Sequence, residues 1–174
     1  SHQISYKLYK SGGCRLGERT VRPHLYALES FGVSVVSKSK FYEVKNNALR
    51  AATIVMYESG DTPTENAVMA AVLAPGKSII RMASANYMAQ DLCYFLCQAG
   101  AKIEGIGTTT LIIEGVKSLK SVSDYSIMPD PIAAMTFLSA AIATDSHLTV
   151  TNCPMDFLDL ELYKLEKMGQ KLLI

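Results

Sequence analysis

Apolar residues return at one spacing three times along the chain. Leu28, Leu96 and Leu165 stand four residues before Gly32, Gly100 and Gly169. Seven residues before these glycines stand Leu25, Cys93 and Leu162, and eleven before stand Val21, Ala89 and Leu158. Offsets of four, seven and eleven from one point define a single helical face. A glycine just past that face fits the position where left-handed backbone ends a helix. Residues that alternate in polarity follow each glycine and predict strands.

A second helix repeats between these. Ala70-Ala71-Val72-Leu73-Ala74 matches Ala140-Ala141-Ile142-Ala143-Thr144 seventy positions later. One whole unit is therefore predicted as strand 52–58, helix 63–74, strand 77–83, helix 87–99, strand 101–106 and strand 109–116. The start of the chain supplies the later part of a preceding unit: strand 3–9, helix 20–31, and strands 33–38 and 41–46. The end supplies most of a third: strand 124–128, helix 131–144, strand 146–152, helix 155–168 and strand 170–174.

Helix starts agree with this division. Thr62-Pro63-Thr64-Glu65 reads as a capping box with proline at the first helical position. Asp130-Pro131 repeats the arrangement, Asn86 caps the helix from Tyr87, and Pro154 opens the last helix. Thr20 caps the first helix, which tolerates Pro23 in its opening turn. Helix 131–144 is apolar nearly all round, which predicts complete burial. The strands carry one polar face, as in Val33-Ser34-Val35 and Lys102-Ile103-Glu104. The expected class is α/β (α+β), with helices inside and sheets outside in an inside-out barrel of β-α-β-α-β-β units.

Composition narrows the function. The chain has 174 residues, 49% hydrophobic and 19% charged, enough for a packed core and too apolar for disorder. The net charge of +1 offers no basic stripe of the kind nucleic-acid binding needs. No apolar run reaches the roughly 18 residues of a membrane span, and the N-terminus lacks a signal-peptide pattern. Cys14, Cys93, Cys97 and Cys153 have no regular spacing, so a reduced, cytoplasmic setting is expected.

The candidate chemistry lies in Ser11-Gly12-Gly13-Cys14-Arg15-Leu16-Gly17-Glu18-Arg19. Three glycines predict a mobile loop, and Arg15 and Arg19 favour the thiolate of Cys14. A thiol poised near neutrality can both give and take a proton. Other residues have structural readings. Cys93 and Cys97 lie on one helical face with Leu92 and Leu96 and read as core, with no third metal ligand placed beside them. His24 reads as packing or capping in the first helix. His147 reads as exposed, Asp130 as a cap, and Asp156 and Asp159 as first-turn carboxylates that favour the helix dipole. The methionines read as core.

These residues resemble the enolpyruvyl transferase family. Gly12-Gly13-Cys14-x-x-Gly17-x-Arg19, running into His24 and Leu25, is similar to the cysteine loop of its UDP-N-acetylglucosamine 1-carboxyvinyltransferase branch. Thr64-Glu65-Asn66 with Met69-Ala70-Ala71, Gly100-Ala101-Lys102-Ile103-x-Gly105 and Ile113-Glu114-Gly115-Val116 extend the likeness. Met128-Pro129-Asp130, Thr136-Phe137-Leu138 and Leu158-Asp159 carry it to the end.

The resemblance implies transfer of the enolpyruvyl group of phosphoenolpyruvate to the 3′-hydroxyl of UDP-N-acetylglucosamine, with loss of phosphate, as the first committed step toward peptidoglycan. It implies no cofactor and no metal. It makes Cys14 the catalytic acid, the group that fosfomycin-type epoxides alkylate. Arg19 becomes a ligand of substrate phosphate, and Val21 a residue beside the uridine pocket. It places residues 1–120 in the first lobe of the family fold, and residues 121–174 in the hinge and a partial unit of the second. The family's N-terminal lysine and asparagine, its aspartate base and its distal arginines have no counterpart in these residues. The stretch alone is therefore expected not to turn over.

Departures bear on the acceptor. Thr20, Arg22 and Pro23 replace a proline, an aspartate and a leucine. Glu58-Ser59-Gly60-Asp61-Thr62 stands where the family has a lysine-containing stretch against the nucleotide, and its two carboxylates would repel a diphosphate. Pro131 replaces an arginine. The alternative expectation is a non-catalytic or specificity-altered lobe that acts as a binding or structural subunit, with self-association through the unpaired edges of the incomplete units.

Overall fold

The structure is a computed structural model that describes residues 4–10, 20–46 and 48–173. It divides into two compact units, Ser1–Tyr125 and Ser126–Ile174.

In the first unit, β1 (Ile4–Tyr9), β2 (Val33–Ser37) and β3 (Phe41–Asn46) form an antiparallel sheet in the order β1-β3-β2. Leu8 pairs with Tyr42, and Val35 pairs with Val44. The second sheet contains β4 (Thr53–Val55), β5 (Lys77–Arg81), β6 (Lys102–Glu104) and β7 (Thr110–Glu114), ordered β4-β5-β7-β6. Only β4 and β5 run parallel within it. Three helices accompany the sheets: α1 (Arg22–Ser30), α2 (Asp61–Ala71) and α3 (Tyr87–Gln98).

The inner helix is α2, which packs on α1, α3 and β7. Its Thr64, Ala67, Val68 and Ala71 are sealed from solvent, as are Ala27 and Phe31 from α1 and its end, Ile80 of β5 and Ile113 of β7. The small side chains of α2 let neighbouring backbones come close, and the larger Phe31, Ile80 and Ile113 fill the space between. Along β5 and β7 the ends are exposed, and Ser78, Ile80, Leu111 and Ile113 are buried. The one-wet-face pattern of the sequence is found in β2 and β6, where Ser34, Lys102 and Glu104 are exposed and Val33, Val35 and Ile103 are half-buried.

The glycine repeat is real. Gly32, Gly100 and Gly169 have φ of +97°, +99° and +88°, the left-handed backbone that glycine adopts without steric cost. Each amide donates back to the third residue before it, Glu29, Cys97 and Glu166, at 2.9–3.0 Å.

Caps agree in part. The side chain of Asn86 accepts from the Tyr87 amide at 2.8 Å, and Asp130 accepts from the Ile132 amide at 2.8 Å. Thr20 Oγ1 accepts from the Arg22 amide at 3.2 Å. The capping box at Thr62 does not form. Helix α2 starts two residues earlier than expected, at Asp61, with Gly60 as N-cap and no side-chain cap bond. The Asp61 carboxylate turns instead to Ser84 and Asn86.

The second unit holds α4 (Pro131–Ala143), a 3-10 turn at Met155–Phe157 and α5 (Asp159–Lys167). Among its described residues there is no strand, so the strands expected at 124–128, 146–152 and 170–174 are not formed. A strand exists only through its ladder. By the repeat, 146–152 corresponds to β5 and 170–174 to β6. In the first unit those two never touch, because β7 lies between them.

The same shortfall corrects the reading of α4. It is not wholly buried: only Pro131 and Ala134 are, while Ile132 and Phe137 are 64% and 59% exposed. Within this unit its packing cluster is Ala134, Leu158 and Leu162 with a few half-buried neighbours. The helices-inside arrangement thus holds for α2. The fold observed is mixed α/β with two open sheets, and no closed barrel is formed among the described residues.

Candidate functional site

The starts of α1 and α2 lie against each other. His24, in the first turn of α1, has its Nδ1 2.7 Å from Nδ2 of Asn66 on α2. With the amide N–H as donor, Nδ1 is the unprotonated ring nitrogen. Tyr26 of α1 and Tyr57, just before α2, stack obliquely with ring centres 6.0 Å apart. The two helices therefore present one shared end.

On that end, Val21 occupies the N-cap of α1, and its carbonyl accepts from the Leu25 amide at 3.2 Å. The residue is 40% exposed. Arg22 points along its own helix and pairs with Glu29 at 3.3 Å. Cys14 and Arg19, the acid and the phosphate ligand expected from the sequence, lie outside the described residues.

The first turn of α2 carries a compact polar knot. The Ser84 amide donates to Thr64 Oγ1 at 2.9 Å, with both residues buried. Ser84 Oγ donates to Asp61 Oδ1, and Asn86 Nδ2 donates to Asp61 Oδ2 at 3.0 Å. The Asn86 amide returns to Ser84 Oγ at 3.1 Å. Asp61 thus brings a negative charge to the positive end of α2 and is itself held by hydroxyl and amide donors. The companion carboxylate singled out from the sequence, Glu58, is exposed.

Glu65 sits between these groups. Burial raises its carboxyl above the usual range, and Asp61 adds to the rise, while His24 opposes it. Across the helix pair, burial pushes the Cys93 thiol up to about 12, with Cys97 and Glu65 contributing. Burial also raises Cys97. Cys93 is a core group, as its helical spacing indicates, whereas Cys97 is half-buried at the edge of that core; with raised thiols both are poor nucleophiles. Among the described residues no three His, Cys, Asp or Glu side chains gather where they could hold a metal ion. A groove of about 570 Å³ borders β6 and β7, lined by Lys77, Cys97, Lys102 and Glu104 among others. It contains none of the residues expected to meet substrate.

The family model described as EPSP synthase (3-phosphoshikimate 1-carboxyvinyltransferase) matches residues 2–173. The chain belongs to this family. Among curated relatives, the UDP-N-acetylglucosamine 1-carboxyvinyltransferase of Desulfovibrio desulfuricans is 40% identical over 92% of this chain and 38% of its own length. That of Hydrogenovibrio crunogenus is 39% identical over 94% of this chain and 39% of its own length. The chain thus spans about two-fifths of the relatives it matches. The crystal structure of the enolpyruvyl transferase NikO from Streptomyces tendae superposes with a TM-score of 0.76 at 19% identity, covering 98% of this chain and 42% of that one. That likeness establishes the fold alone, and it extends through both units. No helix among the described residues is long and apolar enough to cross a membrane.

Sequence reasoning missed two features of this family member. The His24–Asn66 pair was not foreseen, although both residues lie in stretches that carry the resemblance. The Thr64–Ser84 bond gave no signal, because residues twenty positions apart reveal no pairing through periodicity.

Proposed function

We propose that this chain is the part of an enolpyruvyl transferase that carries the reactive loop. In this reading phosphoenolpyruvate and UDP-N-acetylglucosamine are the substrates, and the product commits the sugar to peptidoglycan in the cytoplasm. The observation that carries it is the match to UDP-N-acetylglucosamine 1-carboxyvinyltransferases at about 40% identity over more than nine-tenths of the chain. The exposed N-cap of α1, immediately after the glycine loop, supports it.

The steps balance without a cofactor. The Cys14 thiol gives its proton to the methylene carbon of phosphoenolpyruvate, and the alkene electron pair forms the new C–H bond. The electron-poor C2 then takes the sugar 3′-oxygen, whose proton passes to a base. Loss of a methyl proton restores the double bond as the C–O bond to phosphate breaks. Arg19, a planar cation suited to a phosphate oxygen, holds that leaving group, and Val21 lines the uridine side.

A second reading has its own observation. Asp61 and Glu58 place two carboxylates at the start of α2, and the open face of α4 leaves Ile132 and Phe137 uncovered. A lobe of altered specificity, or one that serves as a binding subunit, would carry both. Phosphate release from phosphoenolpyruvate by the full-length protein decides between them. The first reading requires release that depends on UDP-N-acetylglucosamine and is abolished in C14A. The second requires that UDP-N-acetylglucosamine has no effect.

A further inference from the structure

The charge of this chain is unevenly spread. The described residues of the β1-β3-β2 sheet and its turn contain Lys7, Lys10, Lys38, Lys40 and Lys45 against a single acid, Glu43. That sheet therefore carries +4, and the rest of the chain −3, within a total of +1.

Three of the five lysines meet at one end. The hairpin between β2 and β3 closes where the Lys38 amide donates to the Phe41 carbonyl at 2.8 Å. The Lys10 amide donates to the Lys40 carbonyl at 3.0 Å, bringing the end of β1 to the same tip. All three lysines are exposed. Lys45 is paired with Glu43 at 3.5 Å, and the other ion pairs among the described residues are Arg22–Glu29 and Lys102–Glu114. Lys10, Lys38 and Lys40 thus have no carboxylate partner among the described residues. Lys10 Nζ lies 4.9 Å from the centre of the Tyr42 ring, which steadies an ammonium without neutralising it. Three like charges carried by one turn repel one another, and a multiply charged anion bound there offsets that repulsion.

We infer that the β2–β3 tip with Lys10 is a docking patch for a small phosphorylated molecule. The identity of that molecule as a substrate rests on the enolpyruvyl-transfer reading. The patch itself rests only on the lysines. Its size favours a small anion over a polynucleotide, which needs a track of cations along its phosphates, whereas here they gather at one turn. A cationic rim of this kind raises the local concentration of an anionic substrate and its rate of arrival.

Inorganic pyrophosphate, added to the 15N-labelled 174-residue chain and followed by 1H–15N correlation spectra, is the test. Saturable shifts are expected at Lys10 and at Lys38 through Phe41, weakening from 20 to ~200 mM NaCl as screening takes hold. The surface variant K38Q/K40Q, whose spectrum must otherwise overlay the parent, is expected to bind about fivefold more weakly. Shifts absent from the tip, or unchanged in K38Q/K40Q, overturn the proposal. So does tighter binding of a single-stranded oligonucleotide or of phosphatidylserine vesicles than of pyrophosphate at equal phosphate concentration. Alkylation of Cys14 is independent of these lysines, so failure here is distinguishable from failure of the transferase reading.

Discussion

The Thr64–Ser84 bond can be isolated by one substitution. Thr64 is fully buried on α2, and its hydroxyl accepts the amide of Ser84, itself 7% exposed, at 2.9 Å. Valine keeps the shape of threonine and fills the same space, so Thr64→Val leaves no cavity. What it removes is the acceptor of a buried N–H. A buried donor left without a partner costs about 1–3 kcal/mol. Thr64→Ser is the control: it keeps the oxygen and loses one methyl group, a cost of about 1 kcal/mol. Urea unfolding followed by far-ultraviolet circular dichroism reads both. The expected order is parent above T64S above T64V, with T64V lower than the parent by about 2 kcal/mol. A T64V protein within about 0.3 kcal/mol of the parent, well under the range for an orphaned donor, would show that the bond does not hold α2 to the turn before α3.

Three further outcomes are expected. The carboxyl of Glu65 is raised in the folded state, so the native protein holds this proton more tightly than the unfolded chain does. Its ionisation therefore lowers stability as pH rises from about 4.5 through the raised value. E65Q should gain stability relative to the parent between pH 4 and pH 7, by urea titration at both, and a gain at pH 4 that vanishes at pH 7 would contradict this. With its thiol pushed to about 12, Cys93 is roughly one part in 10,000 thiolate at pH 8, so iodoacetamide should label it only after unfolding. Rapid labelling in the native protein, read by peptide mass spectrometry, would refute that burial. A Cβ added at Gly115 would stand 1.7 Å from the carbonyl oxygen of Ala74. G115A should therefore lose about 3 kcal/mol or more, and unchanged urea stability would mean that this close approach is not held.

Much of the fold was legible because it is written in local patterns. The spacing from Leu28 to Gly32, and its two repeats, located the left-handed glycine just past three helices, which end at Ser30, Gln98 and Lys167, one residue short of the expected ends. Alternation in β2 and β6 showed which residues turn inward, with Val33, Val35 and Ile103 half-buried and Ser34, Lys102 and Glu104 exposed, and Asn86 and Asp130 announced their helices. What failed was non-local. Helix α4 is apolar all round, which states what its environment must be and not whether these 174 residues supply it. The strands at 146–152 and 170–174 have strand composition but no ladder partner, so hydrogen bonding did not follow from propensity. At the candidate site, Asp61 looked like a charge beside the nucleotide. In the fold it is engaged with Ser84 and Asn86, partners from a turn that no periodicity connects to it. Val21 was found through its resemblance and proves to be an exposed N-cap, whereas the His24–Asn66 pair needed coordinates.

The central claim concerns the thiol of Cys14. The full-length protein should be incubated with fosfomycin and UDP-N-acetylglucosamine, then digested for peptide mass spectrometry. The account predicts one adduct, on the Cys14 peptide, with Cys93, Cys97 and Cys153 unmodified. An unmodified Cys14 under those conditions, or alkylation spread over the other three thiols, would contradict it.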